Sequence, residues 1–569
     1  MNAPSKTDSS PEPESAAESD FPSGARSVFL IGLLGSVLLW LSFAPVQCWP
    51  LAWFAITPWC WLVETQRLRG RRPYFWIWLA GFLYWLATLY FLPIPHWLLW
   101  GGWLVFSLYL SLFLPLFVGL SRVLSHKFRV PTVVAIPVIW TGIEFLRSNY
   151  IVAFGCILLG HTQFKFPVLI QTADLFGAYT VSFLIAMFAA CITKVWAERK
   201  LNSRAVGAIG LAIVVMGGMV GYGYWKLAAD RAVPGSPVVK IALIQGSIDT
   251  IFPTAEEVEE YTNREAEQYR KLTWEARQAM PDLDLVIWPE SSFVSQHLIR
   301  DPNEQEESKE LRANWRNYRG AFRYLWAVSQ GLVEFDGEFP PERWEPVEMI
   351  VGCGASNPVT GERYNTAALV DTQGEVSAMY HKQELVLFGE YVPLARMFPA
   401  LQSITPIGAG LDRGDGPKIF EVGGLKIAPN ICFESTLPHL IRRHVNEPAE
   451  QGNEPDVLLN ITNDGWFYGT ACLDHHLACN VFRAVENRKP MLVCANTGFS
   501  AIVDSAGQPR GMGPRREIGI LYHNAVKEKS QFSLYRMMGD WIPFSFGMIT
   551  VVMFFVGWYD RRRVAAKTN

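Results

Sequence analysis

The sequence predicts a multi-span α-helical membrane domain joined to a mixed α/β layered domain. Three observations lead there. Half of the residues are hydrophobic and only 18% are charged, with 22 Trp and 35 Phe, a balance that water-soluble globular chains do not show. The apolar residues are concentrated: 27–225 is almost continuously apolar, 226–540 has the make-up of a water-facing domain, and 541–559 is apolar again. Within the middle stretch, short β-branched runs alternate with helical segments, the pattern of strands layered with helices.

Residues 1–25 are rich in Ser, Pro, Glu and Ala without a packing pattern and are expected to be a disordered tail. They lack the basic start and short isolated apolar core of a cleavable signal. From Arg26 to Glu64 no residue between is charged, and Pro45 and Pro50 divide the stretch into two short spans. From Pro73 to Ser121 only His96 could carry charge, and Pro93 and Pro95 mark the turn between two more. A fifth span is expected at 130–146, a sixth at 167–193, a seventh at 205–225 and an eighth between Asp540 and Asp560. Basic loops follow the second span (Arg67, Arg69, Arg71, Arg72), the fourth (Arg122, Lys127, Arg129), the sixth (Lys194, Arg199, Lys200, Arg204) and the eighth (Arg561, Arg562, Arg563). The intervening connections are nearly free of charge. The positive-inside rule then puts both termini in the cytoplasm and 226–540 outside. The expected organisation is a tail at 1–25, seven spans in 26–225, an extracytoplasmic domain at 226–540, a last span at 541–559 and a cytoplasmic tail at 560–569. A net charge of −3 gives no reason to expect a nucleic-acid partner.

In the middle domain, strands are predicted at Val238–Ile244, Leu283–Trp288, Met349–Cys353, Thr366–Val370, Leu425–Ile431, Val457–Ile461, Met491–Ala495 and Ser500–Val503, with helices at 255–279 and 472–488. The charged, Trp-bearing stretch 301–348 reads as a helix and a Pro-containing loop inserted on the surface.

Functional groups in α/β proteins gather where strands end. Three such exits carry unusual residues: LVIWPES delivers Glu290, MYHKQELVLFGEYVPL presents Lys382 and Glu390, and LKIAPNICFES delivers Cys432 followed by Glu434. A cysteine ending an apolar strand is usually inert core, and an isolated Lys–Glu pair usually a surface ion pair. Together they make a nucleophile set. A carboxylate can take the thiol proton, and an ammonium can stabilise both thiolate and oxyanion.

WPES, YHK…FGEYVPL and NICFE, in that order, resemble the three motifs of the nitrilase superfamily, whose members use a Glu–Lys–Cys triad in an αββα sandwich. FGEYVPL, the later TNDGWF and the flanking eight-span pattern resemble its membrane-anchored branch, the apolipoprotein N-acyltransferase family, over residues 27–559. The resemblance implies that Glu290 is the general base, Lys382 the stabiliser and Cys432 the nucleophile. It makes Glu390 an accessory carboxylate, places Glu434, Phe433 and Trp466 about the site, and gives Arg483, Glu486 and Arg488 a structural part in the helix behind the Cys432 strand. The implied substrates are a phospholipid acyl donor and a diacylglyceryl-modified apolipoprotein at the bacterial inner membrane, with the catalytic domain periplasmic and no cofactor.

The chain departs from the family pattern at Phe433, where Tyr is frequent, at Leu387, at the extra Tyr468, and near Phe252, where a Trp-containing lid is frequent. These departures bear on lid and substrate fit more than on the triad. Cys472, His475, His476 and Cys479 resemble a metal cluster only superficially, since adjacent histidines on a helix diverge. Spacing leaves open a disulfide among Cys353, Cys472, Cys479 and Cys494. Asp174 and Gln171 are expected inside the sixth span, in a packing role. Two further readings of the whole chain stay open here: a membrane-tethered amidase or nitrilase using water, and a non-enzymatic lipoprotein-binding factor.

Overall fold

A computed structural model of the chain describes residues 25–568 apart from 69, 151, 232, 252–255, 299–322, 334, 338, 341–342, 358–359, 393–396 and 399–409. Residues 1–24 of the tail expected at 1–25, residues 301–322 of the insertion, and Phe252 therefore lie outside the described residues, while Ala25 opens the first helix.

Among the described residues four helices are long and apolar enough to cross a membrane: Leu99–Lys127, Ala178–Glu198, Ser203–Leu227 and Trp541–Arg563. The remaining expected spans are shorter or less apolar. Ala25–Ser42 has 18 residues and Pro73–Thr88 has 16, the stretch from Trp49 to Glu64 is broken into two short turns and the eight-residue helix Thr57–Glu64, and Thr132–Asn149 carries Glu144 and Arg147. The sixth span differs from expectation in its start. Pro167–Ile170 and Ala173–Phe176 are single helical turns, and the long helix begins only at Ala178. Gly177 makes the break at φ +75, a conformation that a side chain disfavours. An added Cβ would also lie 3.2 Å from the Tyr535 ring and 3.3 Å from Glu486. An apolar run hides such a turn, because hydropathy does not record backbone direction. Gln171 and Asp174 consequently precede the span instead of lying within it.

The last helix returns to the bundle and packs on Thr132–Asn149. Gly142 makes that contact close, since a Cβ there would sit 2.5 Å from the Phe546 carbonyl oxygen.

The middle domain is two sheets face to face. The first holds β1 (Val239–Gln245), β2 (Leu285–Ile287), β3 (Phe293–Leu298), β4 (Glu348–Ser356), β5 (Arg363–Val370), β6 (Val376–His381) and β13 (Gly519–Ala525). Its order is β13-β1-β2-β4-β5-β6, with β3 also on β4. The second holds β7 (Phe420–Val422), β8 (Leu425–Ile431), β9 (Val457–Thr462), β10 (Met491–Ala495), β11 (Ala501–Val503) and β12 (Pro509–Met512), in the order β12-β11-β10-β9-β8-β7. The central pairs β1–β2, β2–β4, β8–β9 and β9–β10 are parallel.

Strand alternation builds the layers. Ile241, Leu243, Leu285 and Ile287 from the first sheet meet Leu425, Ile427, Leu459, Ile461 and Leu492 from the second in one core. The opposite face of the first sheet, with Ala242, Ile244 and Val286, is covered by Tyr269, Leu272 and Ala276 of the Val258–Ala279 helix. The opposite face of the second, with Ala428, Leu458 and Val493, is covered by the helices Pro438–Glu450 and Cys472–Asn487. The result is an αββα sandwich.

The Cys472–Asn487 helix is also where sandwich and bundle join. Its residues from Leu473 to Asn487 are all buried, and Leu477, Val481 and Phe482 share one apolar cluster with Leu158, Ile170 and Ala173. Polar ties fix the junction. Asp174 accepts from Arg488 at 2.6 Å, pairs with Lys226 at 2.7 Å, and accepts from the Tyr222 hydroxyl at 2.8 Å. Glu486 accepts from the Ala178 backbone N–H at 2.7 Å and pairs with Arg483. Arg483, Glu486 and Arg488 all lie at this junction.

Candidate active site

Each candidate residue is delivered by a strand end on one side of the sandwich. Glu290 follows β2 after Pro289, and its backbone presses against β4 at Gly352. An added Cβ there would come within 2.6 Å of the Glu290 Cα, so only glycine fits. Lys382 directly follows β6, Glu390 lies in the turn beyond it, and Cys432 directly follows β8.

Lys382 is fully buried. Its ammonium donates to Glu390 Oε1 at 2.9 Å and to Glu290 Oε1 at 3.2 Å. The Asn365 amide on β5 bridges the same two carboxylates, donating to Glu290 at 2.7 Å and to Glu390 at 3.1 Å. The second oxygen of Glu290 accepts the Asn463 backbone N–H at 2.8 Å, and that of Glu390 accepts the Val386 N–H at 2.8 Å. One cation thus stands between two anions held by three further donors. Burial opposes charge on Lys382, but Glu290, Glu390 and Cys432 outweigh it and hold the ammonium well above the ordinary lysine range.

Cys432 sits at φ +51, a left-handed conformation that costs a non-glycine residue about 1–3 kcal/mol and persists only where its surroundings enforce it. Its carbonyl accepts from Asn460 Nδ2 at 3.2 Å and faces His476 Nε2 at 3.0 Å. Burial and the Glu290 carboxylate push the thiol well above the usual cysteine range, while Lys382 and Thr462 draw it down. The thiol is therefore protonated at rest, and its proton must leave as it attacks.

Glu434 is wholly buried and turned onto backbone. It accepts from Ile431 N at 2.7 Å, Gln383 N at 2.6 Å, Glu384 N at 3.1 Å and the Tyr380 hydroxyl at 2.8 Å. It ties the β8 exit, which carries Cys432, to the β6 exit, which carries Lys382. Burial pushes its acid up to about 7 against the pull of these donors. Phe433 and Trp466 are half-buried beside this region, and Phe467 meets Phe91 of the bundle edge-on at 5.6 Å between ring centroids.

Asn365, Asn463, Asp464 and His476 are the residues that sequence reasoning missed or set aside. The two adjacent histidines diverge. His476 turns to Asp464 and Cys432, while His475 packs edge-on against Phe43 at 5.7 Å. Among the described residues no group of three or more His, Cys, Asp or Glu is placed to hold a metal ion, and all nine cysteines are free. Cys479 faces Cys156 of the bundle with the sulfurs 3.8 Å apart.

The geometry is accompanied by clear likeness to known proteins. Residues 35–191 match the family model for the apolipoprotein N-acyltransferase N-terminal domain, and residues 240–529 match that for carbon-nitrogen hydrolase. The chain is 30% identical over 553 residues to apolipoprotein N-acyltransferase of Rhodopirellula baltica, covering 89% of this chain and 93% of that one. It is 30% identical over 538 residues to the protein of the same name from Geobacter metallireducens, covering 92% and 93%. Among solved structures, an amidase from Nesterenkonia sp. is similar with TM-score 0.33 and 19% identity, over 52% of this chain and 92% of that one.

Proposed function

The chain belongs to the apolipoprotein N-acyltransferase family, and from that premise we propose that Glu290, Lys382 and Cys432 carry a two-step acyl transfer. The protein is an acyltransferase of lipoprotein N-acylation. In the first step the Cys432 thiol gives its proton to Glu290 as the sulfur attacks the ester carbonyl carbon of a membrane phospholipid. Lys382 stabilises the oxyanion. The intermediate collapses, the glycerol oxygen leaves with the proton from Glu290, and a lysophospholipid departs from a thioester on Cys432. In the second step the α-amino group of a diacylglyceryl-cysteine attacks that thioester. Glu290 takes the amine proton, and the cysteine sulfur leaves and recovers it.

The observation that carries this reading is the fully buried Lys382 ammonium, held between Glu290 and Glu390 and acting electrostatically on Cys432. Glu390 is then the anion that keeps Lys382 charged once Glu290 has taken up a proton. Water as final acceptor would use the same triad, but the likeness to acyltransferases extends across the bundle, which a hydrolase of small amides does not need. The basic loops support a bacterial cytoplasmic membrane location with residues 226–540 on the outer side and both termini inside. On that side both lipid substrates reach the thiol from the outer leaflet.

Intact-mass spectrometry of the detergent-solubilised protein after incubation with phospholipid alone tests the first step. The expected result is one added acyl mass, mapped to Cys432 and removed by hydroxylamine. A Cys432→Ala variant that still transferred acyl chains would sink the proposal.

A further inference from the structure

The His476 ring lies between two groups that can only accept. Nδ1 is 3.0 Å from Asp464 Oδ1, and Nε2 is 3.0 Å from the carbonyl oxygen of Cys432. Neither a carboxylate nor a carbonyl offers a hydrogen, so the ring meets both as a donor when each nitrogen carries one. The Ser435 hydroxyl, 2.9 Å from Nε2, can accept from that nitrogen or donate to it. Doubly protonated, the ring satisfies both acceptors at once, and Asp464 is its counter-charge. The ring is 7% exposed, and a buried charge without such a partner is not tolerated.

This ion pair sits directly on the backbone of the nucleophile. Cys432 adopts φ +51, and its carbonyl is held from two sides, by His476 and by Asn460 Nδ2. A peptide unit is planar, so fixing that carbonyl also fixes the opposed N–H of Phe433. Thr462, at 3.2 Å from Asp464 Oδ1, joins the pair to the strand beside β8.

We propose that His476, as an imidazolium locked to Asp464, is a positioning residue that holds the Cys432 peptide in its left-handed conformation for attack. The proposal rests on Cys432 being the nucleophile. It assigns His476 no proton transfer with substrate. Loss of the ring's charge leaves the Asp464 carboxylate holding the Nδ1 hydrogen, so the hydrogen lost is the one on Nε2, and the carbonyl clamp opens.

The charged and titratable groups facing the ring are Asp464 from the turn after β9, Cys156 from the loop after the Thr132–Asn149 helix, and the Cys432 peptide at the exit of β8. Burial lowers the affinity of the ring for its second proton, but Asp464 outweighs it and pushes the value up to about 9. The sign follows: the clamp is complete at neutral pH and is lost as pH rises through about 9.

Two measurements on the full chain in detergent micelles test this. The first is the ¹⁵N spectrum of histidine-labelled protein, in which the resonances missing from His476→Gln are assigned to His476. They are expected to report an imidazolium at pH 7 that titrates near 9, and at least one unit lower in Asp464→Asn. The second is single-turnover thioester formation with a phosphatidylethanolamine donor. It is expected to fall at least tenfold in His476→Gln at pH 7, with unchanged dependence on lipid concentration. The wild-type rate should decline above about pH 9, and that decline should move to lower pH in Asp464→Asn. A neutral ring at pH 7 overturns the proposal, as does a His476→Gln rate and pH profile equal to wild type. A wild-type protein that forms no thioester at any pH strikes instead at the acyl-enzyme reading, and the ¹⁵N titration still decides the state of His476.

Discussion

Replacing Asn365 by Ala removes a neutral side chain that touches both carboxylates of the site. Its amide makes two hydrogen bonds to charged acceptors, at 2.7 Å to Glu290 and 3.1 Å to Glu390. A hydrogen bond to a charged group contributes about 1.5–3 kcal/mol. Lys382 already contacts the same two oxygens, and water can enter the space vacated, so the lower end of the range applies to each. The sum is about 3 kcal/mol, which corresponds to about a hundredfold in rate if the loss falls on the arrangement needed for attack. Asn365→Ala is therefore expected to form the Cys432 thioester roughly a hundredfold more slowly, with a lipid-concentration dependence close to wild type. Rapid-quench mass spectrometry of the acyl-enzyme reads both quantities. Asn365→Asp adds a third carboxylate around a single ammonium. That added like charge should make its thioester formation slower than that of Asn365→Ala. An Asn365→Ala enzyme within threefold of wild type, with an unchanged melting temperature, would refute the assignment of Glu290 and Glu390 as a jointly held pair.

Other consequences can be checked with less effort. Asp174→Asn leaves Arg488 and Lys226 without their shared anion at the junction of bundle and sandwich. Breaking a buried pair this way costs about 3–5 kcal/mol, so a melting temperature lower by several degrees is expected, with thioester chemistry retained at low temperature. His444 is buried and neutral: Nδ1 donates to the Pro429 carbonyl at 3.1 Å and Nε2 accepts from Gln383 at 3.0 Å. Burial lowers its affinity for a second proton to about 3. The unfolded chain protonates near pH 6.5, so this contribution to stability is complete above that value. It falls by about 1.4 kcal/mol per pH unit as pH drops towards the folded value. His439 and His475 are lowered by burial in the same sense, so thermal melts across pH 4–8 should lose in His444→Gln only that one group's share of the acid-side slope. Glu434→Gln keeps the shape but weakens three backbone hydrogen bonds between the β6 and β8 exits. Slower thioester formation together with a lower melting temperature is expected, and a change in neither would contradict the tie described for Glu434.

Much of this architecture was legible because strong local patterns coincide with it. The β8 and β9 runs LKIAPNI and VLLNIT are buried on both faces and read as strands from composition alone. Glu290, Lys382 and Cys432 stood out because each terminates such a run. The edge strands did not. Pro509–Met512 contains Pro and Gly, and Gly519–Ala525 is half-exposed with His and Asn in it, so neither carries an apolar signature. Phe420–Val422 has only three residues and is recognised by its partner β8 instead of by its own sequence. Asn365, Asn463 and Asp464 were invisible for another reason. They act through residues 75, 173 and 12 positions away in the chain, and no local spacing encodes such partners. The His475–His476 pair was rightly read as diverging on its helix, but the sequence does not show that one of the two ends on the Cys432 carbonyl.

The burial of the Cys472–Asn487 helix on every side has a consequence for how the molecule is made. Synthesis runs from the N-terminus, so the helices up to Leu227 are complete before any strand of the sandwich exists. The apolar surface offered by Leu158, Ile170 and Ala173 then waits for a helix that is more than 240 residues from emerging. The sandwich in turn has no finished exterior on that side until it finds this surface. Each half therefore keeps an apolar face uncovered until the two meet. The bundle, made first, thus offers the surface on which this helix packs, and the final helix, packed at Gly142, is the last element made.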